Sequence, residues 1–172
     1  MQNNASQNPN TQTGQALNRA RYMAKEYKVV ALRECPLPET LHYCATPNDA
    51  SAYWRLHVTT NPYFDPEIEC AAVLFLNRRN RVKGHQFLTM GSVTSAMIHP
   101  REVFRAAIVA CAVNIVLMHN HPSGDPSPSE ADVKITRQLV EAGKLLGIEL
   151  IDHVVIGNPS QASLRDMGYC IG

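Results

Sequence analysis

The sequence predicts an α/β domain built on a mixed sheet. Apolar, β-branched runs of strand length, notably 70–76, 114–121 and 148–156, alternate with segments whose apolar residues recur at helical spacing. No internal repeat divides the 172 residues, and that length suits one hydrophobic core without disulfide staples. Hydrophobic residues make up 45% of the chain and the formal net charge is +1, so bulk electrostatics gives no case for nucleic acid or an anionic membrane.

Taken in order, residues 1–25 are rich in Asn, Gln, Ser and Thr with little to bury. Ordering them would cost backbone entropy without apolar compensation, and a disordered polar tail is expected, with the folded domain over 26–172. The run 27–34 reads as a short strand ended by Pro36 and Pro38. Asn48 and Asp49 offer an N-cap for a helix that would bury Ala52 and Leu56, with Trp54 on another side, until Asn61-Pro62 breaks it. The nearly continuous apolar run 70–76 fits a strand covered on both faces. Residues 77–80 turn it into a returning strand over 81–90.

Pro100 opens a helix at a position where its missing N–H does no harm, with Val103, Phe104, Ala107, Ile108 and Cys111 as the core stripe. Residues 114–121 read as a central strand that delivers His119 and His121 at its end. Ser127-Pro128-Ser129-Glu130 has the form of a capping box opening a helix that stops at Gly147, and 148–156 is the last strand.

The chemistry concentrates at His119-Asn-His-Pro-Ser-Gly-Asp-Pro-Ser-Pro-Ser-Glu-Ala-Asp132. Side chains alternate along a strand, so His119 and His121 share a face with Cα atoms ~6.5 Å apart, and Asn120 faces away. The loop and the helix start then bring Asp132, expected on the second turn, close enough for a third ligand. Two imidazoles and one carboxylate favour Zn²⁺ over the oxygen-seeking Mg²⁺ and Ca²⁺. Three protein ligands leave a fourth position for water, the mark of a catalytic zinc site. Zinc lowers the pKa of that water to roughly 7 and polarises a carbonyl, which makes amide hydrolysis the natural reaction. Such a reaction needs a carboxylate base; Glu69, at the head of the apolar run, and Glu67, two residues before it, both qualify. Ser129 is placed to donate to an oxyanion. The nuclease pattern that shares the letters HNH spreads its residues over a long ββα unit and does not fit.

At these residues the chain resembles the JAB/MPN metalloenzymes, whose JAMM motif runs from an upstream Glu to HxHP, Ser and Asp. His119, His121, Pro122, Ser129 and Asp132 match that spacing. More narrowly it resembles the RadC-like branch over 65–170, through Leu74-Phe-Leu-Asn, His99-Pro-Arg-Glu, His119-Asn-His-Pro-Ser-Gly, Pro128-Ser-Glu-Ala-Asp and Leu150-Ile-Asp-His-Val-Val-Ile-Gly. The resemblance implies a JAB/MPN-like mixed sheet flanked by helices, zinc on His119, His121 and Asp132, Glu69 as general base and Ser129 at the oxyanion. It implies a metalloprotease acting on a peptide or protein substrate. The branch carries a DNA-repair label, but the helix-hairpin-helix region usual before its JAB domain has no Gly-Ile-Gly-type signature in the first 60 residues.

The alternative is a repair or mobile-element accessory protein that associates with nucleic acid and keeps the metal as structure. Arg78, Arg79, Arg81 and Lys83 are the candidate patch, although without interleaved aromatics they fit a solvated turn better. His153, beside Asp152, is either a residue orienting a zinc ligand or a hydrogen-bonded core histidine. Cys111 is expected in the helix core. Five scattered cysteines without a CxxC pair argue for a reducing cytoplasmic compartment, and neither a signal peptide nor an apolar run of membrane length is visible.

Overall fold

The structure, a computed structural model, describes residues 31–90 and 98–171. The expected polar tail lies outside the described residues, as does the first half of the strand expected over 27–34. Its second half, from residue 31, has no regular structure, consistent with the prolines that follow.

Five strands form one mixed sheet: β1 (Cys70–Leu76), β2 (Val82–Met90), β3 (Asn114–Asn120), β4 (Glu149–Ile156) and β5 (Gln161–Ser163), in the order β2-β1-β3-β4-β5. β1 pairs antiparallel with β2 and β3, β3 parallel with β4, and β4 antiparallel with β5. The parallel step needs a crossover, which α3 (Glu130–Leu146) supplies. Every β1 residue is buried, as its unbroken apolar run requires of a strand covered on both sides. The fold class is the one expected, an α/β domain with helices on a mixed sheet.

Side-chain alternation sorts the core into two layers. Ala72, Leu74, Val116, Met118 and Val154 pack on the side of α1 (Pro47–Tyr53). Val73, Phe75, Ile115, Leu117 and Leu150 pack against α2 (Pro100–Val109) and α3 through Val103, Phe104 and Leu139. Each large apolar side chain fully withdrawn from water contributes roughly 1.5–3 kcal/mol. Among the described residues no helix is long and apolar enough to cross a membrane.

Three local expectations are corrected. Thr46, not Asn48 or Asp49, caps α1, and Asp49 completes its capping box from the third helical position. The chain then passes into a π-helical turn, Trp54–Val58. That wider turn breaks the 3.6-residue period, so Tyr53, Trp54, His57 and Val58 are buried while Leu56 faces water. In α2 the buried stripe is Val103, Phe104, Ala106 and Ala107; Ile108 and Cys111 are exposed. The helix stops at Val109 and Cys111 adopts a left-handed conformation, φ 48°, which turns it out of the helical stripe. Lys83 donates to the Ala110 and Cys111 carbonyls at 2.6 and 2.8 Å, so this member of the basic hairpin caps a helix end.

The third correction reaches the functional residues. The N-cap of α3 is Ser129 and its capping-box partner is Asp132, not a Ser127–Glu130 pair. Asp132 therefore stands in the first turn, not the second. Gly147, with φ 65°, ends the helix in the left-handed conformation glycine permits, as expected.

Candidate metal centre

β3 carries His119 on the layer of Ile115 and Leu117, the side covered by α3, and His121 follows one residue past the strand end. The His121 N–H donates to the Ile156 carbonyl at 3.0 Å, which ties the departing chain to the end of β4. Gly124 N–H returns to the His121 carbonyl at 3.0 Å, and Asn158 N–H donates to the Gly124 carbonyl at 2.9 Å. At Gly157 a Cβ would collide with the Gly124 carbonyl and come within 2.9 Å of the Pro126 ring, so only glycine lets the loop lie this close to β4.

The Nε2 atoms of His119 and His121 lie 3.1 Å apart. Asp132 presents Oδ1 to His119 Nε2 at 3.3 Å and Oδ2 to His121 Nε2 at 3.6 Å. One ligand atom from each residue lies within 4.8 Å of the others, so the three could hold a metal ion. The structure thus brings together His119, His121 and Asp132, which the sequence singled out as ligands. His119 is fully buried and Asp132 nearly so, while His121 is half-buried and opens the cluster toward water.

The donor set fits a cation. The far ring nitrogen of His121, Nδ1, lies 2.8 Å from the Asp125 carbonyl, which can only accept; Nδ1 therefore carries the hydrogen and leaves Nε2 as a ligand atom. Two imidazole nitrogens and a carboxylate at these distances need positive charge between them. The Asp132 hydrogen bond raises the pKa of His121 above its ordinary value, against burial, with help from the Asp125 carbonyl and the charges of Asp132 and Glu69. Burial pushes the Asp132 carboxyl up, but the neighbouring His119 and His121 rings and the hydrogen bonds from Ser129 outweigh it and hold the group well below the usual carboxylate range.

Ser129 is exposed, and its N–H and hydroxyl both reach Asp132 Oδ2, at 2.7 and 2.6 Å. Asp132 N–H returns to Ser129 Oγ at 3.2 Å. The capping box therefore aims the carboxylate: Oδ2 is held by the helix start, and Oδ1 is left toward His119.

Glu69 stands one residue before β1 and is half-buried; Glu67 is exposed. The β1–β3 ladder ends at the Ala71–His119 pair, and Glu69, two residues before Ala71, has the parity of Ala71 and Val73. The charge of Glu69 reaches His121.

Two residues here were not singled out from the sequence, and a third was left open. Asn120, nearly buried, accepts from the Cys70 N–H at 2.9 Å and donates to the Ile68 carbonyl at 3.1 Å, gripping the backbone on both sides of Glu69. Thr136, one turn after Asp132, bonds both the Asp132 carbonyl and His153, each at 2.6 Å. His153 Nε2 meets His119 Nδ1 at 2.8 Å. The i, i+4 spacing of Asp132 and Thr136 is a signal that could have found Thr136; only the strand register could place His153. Asp152 touches His153 through its backbone N–H, not its ring, and spends its carboxylate on Ser163 and the Arg165 N–H.

A profile of the RadC-like JAB domain matches residues 44–169. A UPF0758 protein of Chlorobaculum parvum is 51% identical over 102 residues, 59% of this chain and 46% of the relative. A UPF0758 protein of Caldanaerobacter subterraneus subsp. tengcongensis is 50% identical over 97 residues, 56% of this chain and 42% of the relative. One from Methanosarcina mazei is 44% identical over 96 residues, again 56% of this chain and 42% of the relative. The chain spans less than half the length of these relatives. Given the profile match across the sheet, the crossover helix and the His-His-Asp cluster, the chain belongs to the RadC-like JAB domain family.

Proposed function

We propose that this chain is a zinc-dependent hydrolase of peptide or isopeptide bonds in a protein substrate, with His119, His121 and Asp132 as ligands, Glu69 as base and Ser129 as oxyanion donor. One observation carries the proposal: two imidazole nitrogens and a carboxylate converge on one point, from a buried strand end and a helix cap, with one ligand open to water. Two nitrogens and one oxygen suit zinc, and a site with three protein ligands is the catalytic kind. Zinc, when bound, supplies the Lewis acid that lowers the pKa of water and polarises a carbonyl.

The protein's own groups do the rest. Glu69 takes the proton from the attacking water and returns it to the leaving amine. Ser129 serves the oxyanion by turning its hydroxyl away from Asp132 Oδ2; its backbone N–H keeps that oxygen in place, so the ligand does not drift. The free thiols of all five cysteines suit a reducing, cytoplasmic setting.

Metal analysis tests the proposal. About one zinc per chain is expected, lost in His119→Ala, with amide-bond cleavage lost alongside. A zinc content far below that, unaffected by His119→Ala, overturns it. The exposed Arg78, Arg79 and Arg81 keep a second reading open, an accessory role on nucleic acid with the metal as structure. That reading expects salt-dependent DNA binding lost on neutralising the three arginines, and fails without binding at low salt.

A further inference from the structure

Behind His119, away from the ligand cluster, three hydrogen bonds run in series, and their direction is forced. Thr136 Oγ1 lies 2.6 Å from the Asp132 carbonyl, which can only accept, so the single hydroxyl hydrogen lies on that side. The oxygen then faces His153 Nδ1, also at 2.6 Å, as an acceptor, and Nδ1 must carry a hydrogen. His153 is completely buried, and its two ring nitrogens meet a hydroxyl and another imidazole, neither of them an anion. A second proton there would be an uncompensated buried charge, so the ring is neutral and Nε2 is bare. The bare Nε2 lies 2.8 Å from His119 Nδ1 and needs a hydrogen from it. A neutral His119 with its hydrogen on Nδ1 has its lone pair on Nε2, the atom that faces His121 and Asp132.

We propose that His153 and Thr136 form a one-way hydrogen-bond chain that presets His119 in its metal-binding tautomer before any ion arrives. His153 is then a positioning residue of the metal centre. The chain also links the two buried ligands: it starts at the backbone of Asp132 on α3, passes through β4 and ends on His119 in β3. Were the Thr136 hydrogen aimed at His153 instead, the series would reverse and put the His119 proton on Nε2, among the ligand atoms. The inference rests on the triad binding metal and is independent of any hydrolytic activity.

The test uses the full chain labelled with ¹⁵N-histidine and freed of metal, and reads the ring-nitrogen shifts in long-range ¹H–¹⁵N correlations. His119 is expected with hydrogen on Nδ1 and His153 with hydrogen on Nδ1. Zinc affinity, measured by competition with a chelator, should fall about 10- to 100-fold in Thr136→Val and in His153→Phe and return in Thr136→Ser, which restores the hydroxyl. Thr136→Val should also leave His119 with a mixed tautomer signal, which a loss of packing alone would not produce. Should His153→Phe fail to fold, the Thr136→Val and Thr136→Ser pair decides. A metal-free wild-type His119 carrying its hydrogen on Nε2 overturns the inference, as does a folded Thr136→Val with wild-type tautomer and zinc affinity within about twofold of wild type. Absence of zinc binding in the wild type overturns the metal reading itself, and is a separate result from either of these.

Discussion

Asn120 holds Glu69 by the backbone on either side, its amide oxygen on the Cys70 N–H at 2.9 Å and its amide nitrogen on the Ile68 carbonyl at 3.1 Å. β3 leaves the β1 ladder near this point, because the next residue, His121, bonds to the end of β4. One side chain thus continues the strand pairing where the backbone cannot. Asn120→Asp keeps the shape and the acceptor but loses the donor to Ile68. We expect it to lower hydrolysis about 10- to 100-fold, the cost of a misplaced catalytic group, with zinc content unchanged. Wild-type turnover in this variant, alongside metal analysis, would separate Asn120 from the placement of Glu69.

Glu69→Gln preserves volume and removes the base. Zinc content should survive and hydrolysis should fall ~10²-fold or more. Glu67→Gln, on an exposed side chain, is the matched control and should leave the rate unchanged. Equal losses in the two variants would contradict the assignment of the base.

Gly157 sets how closely the 122–126 loop approaches β4. Gly157→Ala forces the Gly124 carbonyl and Pro126 to move, at a cost of roughly 1–3 kcal/mol in thermal or denaturant unfolding. The same shift displaces the Asp125 carbonyl from His121 Nδ1, so zinc affinity should drop with stability. A destabilised variant that binds zinc as tightly as wild type would show that the loop does not orient His121.

His85 provides a pH dependence away from the metal site. Its Nδ1 pairs with the Tyr53 hydroxyl at 2.8 Å. Burial first, then the charges of Arg33 and His57, lowers its pKa from 6.5 to about 4. The unfolded chain therefore takes up this proton before the folded one does. The stabilisation is complete above pH 6.5 and is lost as the pH falls toward about 4, on the order of 2 kcal/mol over that window. His85→Phe should flatten that part of the curve in denaturant titrations; an unchanged slope would assign it elsewhere.

Much of this molecule is local and so could be read from the chain. The 70–76 run could only be a strand covered on both faces, Gly147 could only be a helix stop, and the HxH spacing with Ser129 and Asp132 marked the three residues that could hold a metal ion. These follow from period, cap and turn chemistry, which neighbouring residues determine. The errors came where two local signals competed. Pro128 suggested a cap at Ser127, but Ser129 and Asp132 bond each other more fully and set the helix start. The π-helical turn rotated Trp54 into the core and Leu56 out of it, and the early end of α2 exposed Cys111.

What only the tertiary structure decided is everything around the His-His-Asp cluster. Sequence determined that two histidines and an aspartate share a site, because they lie on one strand end and the helix that follows it. It could not determine that Asn120 reaches back 50 residues to Cys70, or that His153 lies behind His119 across 34 residues. Those contacts depend on which strands are neighbours and in what register, and pairing is fixed by the packing of both sheet faces rather than by any short stretch of chain.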